Sequence, residues 1–387
     1  MLAFISPTTI PSRRAHRLAV GSFFFLQGLC FASWGSRIPT IQQQLGLTET
    51  ELGMVLFALP LGQILSLPFA GWLIARAGSH RVVVPAALVY PVSLLFISLA
   101  WNVLQLLAAL FIFGIASNLI NIAVNTQAVG VEKLYRKPIM ASLHGLWSLA
   151  GFVGAAIGTF MIGKAILPQW HFLVIMGFVF VGVALCARYV LHEESNAATR
   201  QPLFAKPDRY LVSLGVLAFC CLVCEGAMFD WSGVYFKKVV KAEKAWIGAG
   251  YTAFMCTMAT GRFVADYVTS RIGIRRMLQL NGILMASGLT IAVVFPNLLT
   301  AIAGFLLVGA GVSAVVPLVY SAAGRSKVMA PGVALATVST IGFVGFLLGP
   351  PLIGLVAGAS SLRISFAIIA VLGLCVSLIA SRIRSFG

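Results

Sequence analysis

Apolar runs of about twenty residues recur twelve times along this chain, and that repetition leaves few folds open. They lie near 17–36, 51–74, 82–100, 103–128, 141–162, 170–190, 210–234, 246–268, 274–294, 298–322, 332–357 and 363–381. A helix rises 1.5 Å per residue, so ~20 residues cross a ~30 Å hydrocarbon core. Lipid offers no partner to a backbone amide, so each run must satisfy its own hydrogen bonds, as a helix does. The composition agrees. Of 387 residues, 60% are hydrophobic and 10% are charged, against roughly a quarter charged in a soluble domain. The sequence therefore predicts an all-α integral membrane protein with twelve transmembrane helices.

The formal net charge of +17 does not point to nucleic acid, because the basic residues sit in short clusters between apolar runs. Such clusters orient membrane helices, since Lys and Arg accumulate on the cytoplasmic side. With the N-terminus in the cytoplasm, nineteen basic residues fall inside: Arg13, Arg14, Arg17, Arg76, Arg81, Lys133, Arg136, Lys137, Arg188, Arg200, Lys206, Arg209, Arg271, Arg275, Arg276, Arg325, Lys327, Arg382 and Arg384. Seven fall outside: Arg37, Lys164, Lys237, Lys238, Lys241, Lys244 and Arg363. Arg262 lies within a span. The expected location is the cell inner membrane, multi-pass, with both termini cytoplasmic. The lysine-rich segment after the seventh run is either an electropositive outer mouth for an anionic solute or a solvated loop. Residues 1–17 make a poor signal peptide, with Pro7 and Pro11 interrupting a short apolar stretch and the basic cluster following it. The next run is expected to remain as the first span.

No pattern for chemistry stands out. Cys30, Cys186, Cys220, Cys221, Cys224, Cys256 and Cys375 all lie in apolar runs, where thiols serve as small apolar filler. Cys221 and Cys224 form a CxxC without companion ligands. A phosphate-cradling GxxxxGK[ST] and a zinc-binding HExxH are missing from the sequence. The reading is not an enzyme, with no cofactor and no metal.

The two halves of the sequence resemble each other. Gly151, Gly154 and Gly158 match Gly342, Gly345 and Gly349. Arg76, Gly78 and Arg81 match Arg271, Gly273 and Arg276, and Trp34 matches Trp231. The offsets run from about 191 to 197 residues, close to half the chain. The expected organisation is an N-terminal six-helix half over 1–190, a cytoplasmic linker over 191–209, and a C-terminal six-helix half over 210–387. Such six-helix repeats are one architecture of secondary transporters.

The segment from Gly71 through Arg76 and Gly78 to Arg81 resembles the loop motif of the major facilitator superfamily. It departs from that motif at Ala75, where an aspartate is usual, and at Ser79, where a basic residue is usual. The Gly151, Gly154 and Gly158 run resembles the glycine-rich fifth span of the same family. Residues Ala32 to Pro39 and Glu225 to Ser232 are similar to the YbjJ/MosC-like branch, near the fucose permease group. The resemblance implies the major facilitator fold, twelve helices in two pseudo-repeats around a cavity lined by spans one, four, seven and ten. It also implies a monomer.

Polar groups inside lipid are costly and therefore informative. Asn118, Asn121 and Asn125 share one helical face and could bind a hydroxyl-rich solute or serve as interhelical glue. Gln27 and Trp34 share a face with Arg37, the last read as a snorkelling anchor or a site group. Trp34, Trp147, Trp231 and Tyr320 are candidate cavity walls. Glu225, Asp230 and His144 are candidate proton-coupling groups, with a structural Glu225–Arg262 pair as the alternative. Arg76, Arg81, Arg262, Asp266 and Arg271 are candidate gating residues, Arg262 and Asp266 being four apart. Spans three, six and twelve, almost purely apolar, are expected to face lipid.

The function expected from these features is secondary active transport by alternating access, in which a small polar organic solute, sugar-, cyclitol- or peptide-like, is moved by proton symport. The alternatives are export of hydrophobic or drug-like compounds, and a non-transporting membrane receptor or structural subunit. The expected partners are a small-molecule substrate and the lipid bilayer, with no nucleic acid.

Overall fold

The computed structural model describes residues 12–135, 139–192, 208–323 and 331–383. Most of the expected linker, and Arg136, Lys137, Arg200, Lys206, Arg325, Lys327 and Arg384, lie outside the described residues. Fourteen α-helices run through these segments: α1 (Arg13–Leu45), α2 (Glu49–Leu56), α3 (Ala58–Ala77), α4 (Ser79–Ser98), α5 (Val103–Tyr135), α6 (Met140–Gly163), α7 (Pro168–Cys186), α8 (Arg209–Lys238), α9 (Ala249–Ile272), α10 (Ile274–Val294), α11 (Leu298–Val312), α12 (Val315–Ala323), α13 (Pro331–Ala359) and α14 (Leu362–Arg382). The first apolar run is a helix because its backbone has no other partner in lipid, and Ser12 caps it by accepting from the Ala15 amide. Gly46, at φ 64°, ends it in the left-handed conformation, which glycine adopts without penalty. Thr48 then starts α2 through a capping box with Glu51.

Among the described residues, eleven helical stretches are long and apolar enough to cross a membrane, with α2–α3 and α11–α12 each counting as one. The remaining helix, α9, has 24 residues but is interrupted by Arg262, Asp266 and Arg271. Helices α1 and α8 are the most enclosed, with 83% and 72% of their apolar windows buried, whereas α7 has 28%. So α1 and α8 lie at the centre and α7 faces lipid, as expected for span six. Helices α4 and α14, expected beside it, are 50% and 44% buried, no more exposed than α6 at 44% or α13 at 39%. Apolar side chains suit helix–helix contact as well as lipid, so their distribution cannot separate the two.

Helix α1 packs on α6, α5 on α3 and α4, α8 on α13, and α10 on α11 and α14. Contacts between the early and late helices run through α2–α13, α6–α9 and α1–α8. Gly154 abuts Ala32 and Leu29 of α1, and Gly345 abuts Phe219 and Val223 of α8. The glycine runs of α6 and α13 thus each receive the corresponding central helix. Only Gly151 of its run faces across to the later helices, at Met255; Gly158 meets Ser36 of α1. Gly78 and Gly273 hold matching backbone angles, φ 83° and 82°, and each joins two helices. Arg76 lies over Trp72 and Arg271 over Tyr267, a cation over a ring four residues back.

Close approach of α3 and α5 requires glycine at two facing positions. A Cβ on Gly62 would lie 2.3 Å from the Phe111 carbonyl oxygen, and one on Gly114 would lie 2.1 Å from that of Leu59. Both obstacles are helix backbone and cannot rotate away. Gly114→Val should therefore destabilise the protein by about 1–3 kcal/mol or more, read as a lowered melting temperature in detergent. An unchanged melt would mean that α3 and α5 do not pack this closely.

Candidate functional site

The start of α1 and the end of α14 lie at one end of the helix bundle. Arg13 donates to the Leu134 carbonyl and His16 Nδ1 to that of Tyr189, tying the start of α1 to the ends of α5 and α7. Arg275 at the start of α10 bonds the Ser381 carbonyl near the end of α14. At the opposite end the early and late helices meet closely. A Cβ on Gly53 would lie 2.8 Å from the Pro350 carbonyl oxygen, and one on Gly354 2.8 Å from Gly53 Cα. Lys237 donates to Gln43 at 2.5 Å, and Lys238 pairs with Glu49 at 2.7 Å. The lysine pair is exposed, where such bridges contribute about 0–1 kcal/mol. The glycine-mediated backbone contact is therefore the main clasp.

Between these ends lies a cavity of about 830 Å³ lined by α1, α3, α4, α5, α6, α8, α9 and α13. One wall carries amides. Asn118 is buried and donates to Ser66 Oγ at 2.9 Å, and Gln63 donates to Ser117 Oγ at 3.3 Å. Asn121 is exposed to the space. Gln27 is 6% exposed, and its Oε1 has no protein partner. A buried acceptor left unpaired is unusual and is available to a guest.

The other wall carries the charges. Arg262 of α9 donates from Nη1 to Ser148 Oγ on α6 at 2.6 Å, and from Nη2 to Glu225 Oε1 on α8 at 3.4 Å. Its Nε has no partner. One guanidinium thus joins an early helix to two late ones and neutralises a buried carboxylate, which could not otherwise remain charged in an apolar surround. Aromatic rings fill the rest: Trp147 lies against Phe31 and Phe229, with centroids 5.9 and 6.3 Å away. His144 lies edge-on to Phe24 at 5.0 Å.

The cavity therefore brings together Gln27, Asn118, Asn121, His144, Trp147, Glu225 and Arg262. The structure places the other candidates elsewhere. Trp34 and Trp231 are 1% and 0% exposed, packed beyond reach of a guest in this conformation. Asn125 does not line the cavity; its amide donates to Asn121 Oδ1 at 3.0 Å. Asp230 lies five residues beyond Glu225, about 140° further around the helix, and faces away from the cavity lining. Tyr320 on α12 is half-buried and outside the lining. Arg76, Arg81 and Arg271 are exposed near the terminal end. Asp266 falls within α9, but its side chain lies outside the described residues, as does that of Ala75.

Two features escaped the sequence reading. Gln63 and Ser117 line the cavity, and Gln63 could have been found as the amide within span two. Arg37, read as a surface anchor or site group, is 1% exposed, with Nε donating to His171 Nδ1 at 3.0 Å. It is buried against α7 instead of snorkelling, because α1 is central and continues beyond it to Leu45. Among the described residues, no group of three or more His, Cys, Asp and Glu is placed to hold a metal ion.

Comparison with known proteins places this geometry. The family model described as Major Facilitator Superfamily matches residues 20–327 and 240–385. The chain is 33% identical over 354 residues to an uncharacterised MFS-type transporter of Yersinia pestis, covering 92% of each chain. It is 30% identical over 384 residues to the membrane protein MosC of Rhizobium meliloti, covering 97% of this chain and 93% of that one. Among solved structures, the nucleoside transporter NupG superposes with a TM-score of 0.72 at 12% identity, covering 95% and 98% of the two chains. The human organic anion transporter MFSD10 gives 0.64 at 15%, covering 96% and 100%. The two structural likenesses speak to the fold alone. The chain belongs to the Major Facilitator Superfamily of secondary transporters, and is a multi-pass membrane protein.

Proposed function

We propose that this Major Facilitator Superfamily transporter carries a small polar organic solute by alternating access, with Glu225 taking up and releasing a proton during the cycle. The observation that carries the reading is the cavity itself. Its 830 Å³ lies in the range of small-molecule sites, roughly 300–1,000 Å³. One wall offers the amides of Gln27, Asn118 and Asn121, able to donate and accept; the other offers the Glu225–Arg262 pair. Sugar-, cyclitol- and peptide-like solutes fit such walls.

In this reading helices α1–α7 and α8–α14 are two six-span halves that rock about the cavity, α9 being the twelfth span. A single chain is the working unit, without a nucleic-acid partner. The lysine and arginine bias puts both termini in the cytoplasm of the inner membrane. The clasp around Gly53 and Gly354 then closes the outer end. Exposed Asn121 and His144, nearer the terminal end, favour an opening toward the cytoplasm. When Glu225 is protonated its hold on Arg262 weakens, and the Arg262–Ser148 link between the halves is free to rearrange.

A second reading has its own observation. Phe24, Phe31, Trp147, Phe229, Phe343 and Phe346 also line the cavity, which suits export of amphiphilic compounds. A thermal-shift screen of purified protein against sugars, cyclitols, dipeptides and amphiphilic drugs separates the two. A ligand at 100 times its Kd stabilises the native state by about 2.7 kcal/mol. The expected result is a polar hit whose shift is lost in Asn121→Ala. Stabilisation by amphiphiles alone, insensitive to Asn121→Ala, would replace the polar-solute reading with the exporter.

A further inference from the structure

A second cavity, of about 730 Å³, lies beside the bundle between α6, α9 and α11, remote from the polar walls of the first. Its sides are apolar, including Phe152, Ala156, Ile302 and Leu306. Two exposed aromatics, Phe160 and Trp246, flank it with 60% and 48% of their surface free. In a membrane-spanning protein, apolar side chains exposed at this position meet lipid. Cations stand at one end of the groove. Lys164 lines it. A Cβ on Gly163 would lie 3.3 Å from Ala245 Cα, so Lys164 and Lys244, neighbours of those two residues in sequence, flank one contact. Lys241 and Glu243 precede Lys244 in the same exposed segment. Three lysines against one glutamate leave this mouth with a net positive charge.

We propose that the groove holds an acyl chain of an anionic phospholipid, with its phosphate drawn to Lys164 and Lys244. Apolar walls match the chain, and basic residues at the membrane surface attract anionic headgroups. An exposed Trp beside them suits the headgroup level. The site straddles early and late helices. Thr159 of α6 and Thr252 of α9 both line it, and their hydroxyls hydrogen-bond at 3.0 Å. A lipid seated there touches both sides of a seam and would bias how they move.

Native mass spectrometry of the purified protein, titrated with phosphatidylglycerol or phosphatidylcholine of the same chains, tests this directly. The expected result is retention of one phosphatidylglycerol with about ten-fold or greater preference over phosphatidylcholine. The double variant Lys164→Gln, Lys244→Gln should weaken phosphatidylglycerol retention roughly 20- to 30-fold. Ala156→Phe, which fills the groove and leaves both lysines, should lose the lipid as well. Elution volume and melting temperature report whether each variant folds; should Ala156→Phe fail, the lysine pair decides alone. Equal retention of the two lipids by the parent protein, or undiminished preference in the lysine variant, would overturn the assignment. So would stabilisation by glycerol phosphate alone that matched the intact lipid, since a headgroup site needs no groove.

Discussion

Glu225→Gln is expected to lower proton-driven uptake of the transported solute by about ten-fold or more, while exchange of labelled for unlabelled solute across the same vesicles persists. Glutamine keeps the size of the side chain and can still accept a hydrogen bond from Arg262, so the wall of the cavity is preserved. What it cannot do is take up and release a proton. Glu225 is the acid among the cavity's described lining residues, and it is 7% exposed. A ten-fold loss corresponds to about 1.4 kcal/mol, modest beside the several kcal/mol of a buried, unpaired charge. The comparison variant is Asp230→Asn. Asp230 lies on another face of α8, so its effect on coupling should be small. If Asp230→Asn abolished coupling and Glu225→Gln did not, the proton site would move to Asp230. If neither variant changed it, proton coupling through α8 would be abandoned.

Gly354→Trp should produce the largest shift in conformation. The backbone contact between Gly53 and Gly354 admits no side chain, since a Cβ on Gly354 already approaches Gly53 Cα to 2.8 Å and the Glu49 carbonyl oxygen to 2.6 Å. At the neighbouring position a Cβ on Gly358 would lie 2.0 Å from Thr50 Oγ1, a side-chain atom. Overpacking costs about 1–3 kcal/mol, and here it falls on one conformation only. An alternate state with this end open escapes it, so the ratio of the two states should move by roughly 5- to 150-fold. Spin labels at Gln44 and Lys241, both exposed at this end, report the separation by pulsed electron resonance. The parent protein should show a short distance and the variant a longer one. Unchanged distances in a folded variant would mean that the clasp is not what holds this end shut.

Much of the helical layout was legible because lipid imposes it. A 20-residue apolar run can be little else than a spanning helix, and every predicted run coincides with a helix or a pair of helices. The match of Gly151, Gly154 and Gly158 to their counterparts on α13 was also legible, as a repeat. Which neighbour each glycine meets was not. Gly151 faces Met255 whereas Gly154 and Gly158 face α1, and that depends on how α6 is rotated in the bundle.

The cavity was half legible. Gln27, Asn118, Asn121 and Glu225 drew notice because polar groups in apolar helices are expensive, and the structure assembles them around one space. Ser117 leaves a weak signal because a hydroxyl can bond the backbone of its own helix, whereas Gln63, an amide like Gln27, was as legible as that residue. Trp34, Trp231 and Asp230 gave as strong a signal as the others, yet they face helix contacts. Hydropathy measures how unwelcome a group is in lipid; it does not tell whether a cavity or a neighbouring helix relieves it.

By itself, then, the sequence determined the solvent of this protein, the helical state of its backbone and the identity of the few groups that lipid would penalise. Only the tertiary structure decided which of those groups share a space. The reason is geometric. A helix fixes the relative angles of its own side chains through its 3.6-residue turn, but not the direction in which the whole set points. That direction is set by packing between residues far apart in sequence. Arg262 meeting Ser148 and Glu225 is a contact among three helices: the sequence offered its Glu225 arm as one alternative, and packing alone chose it and added Ser148.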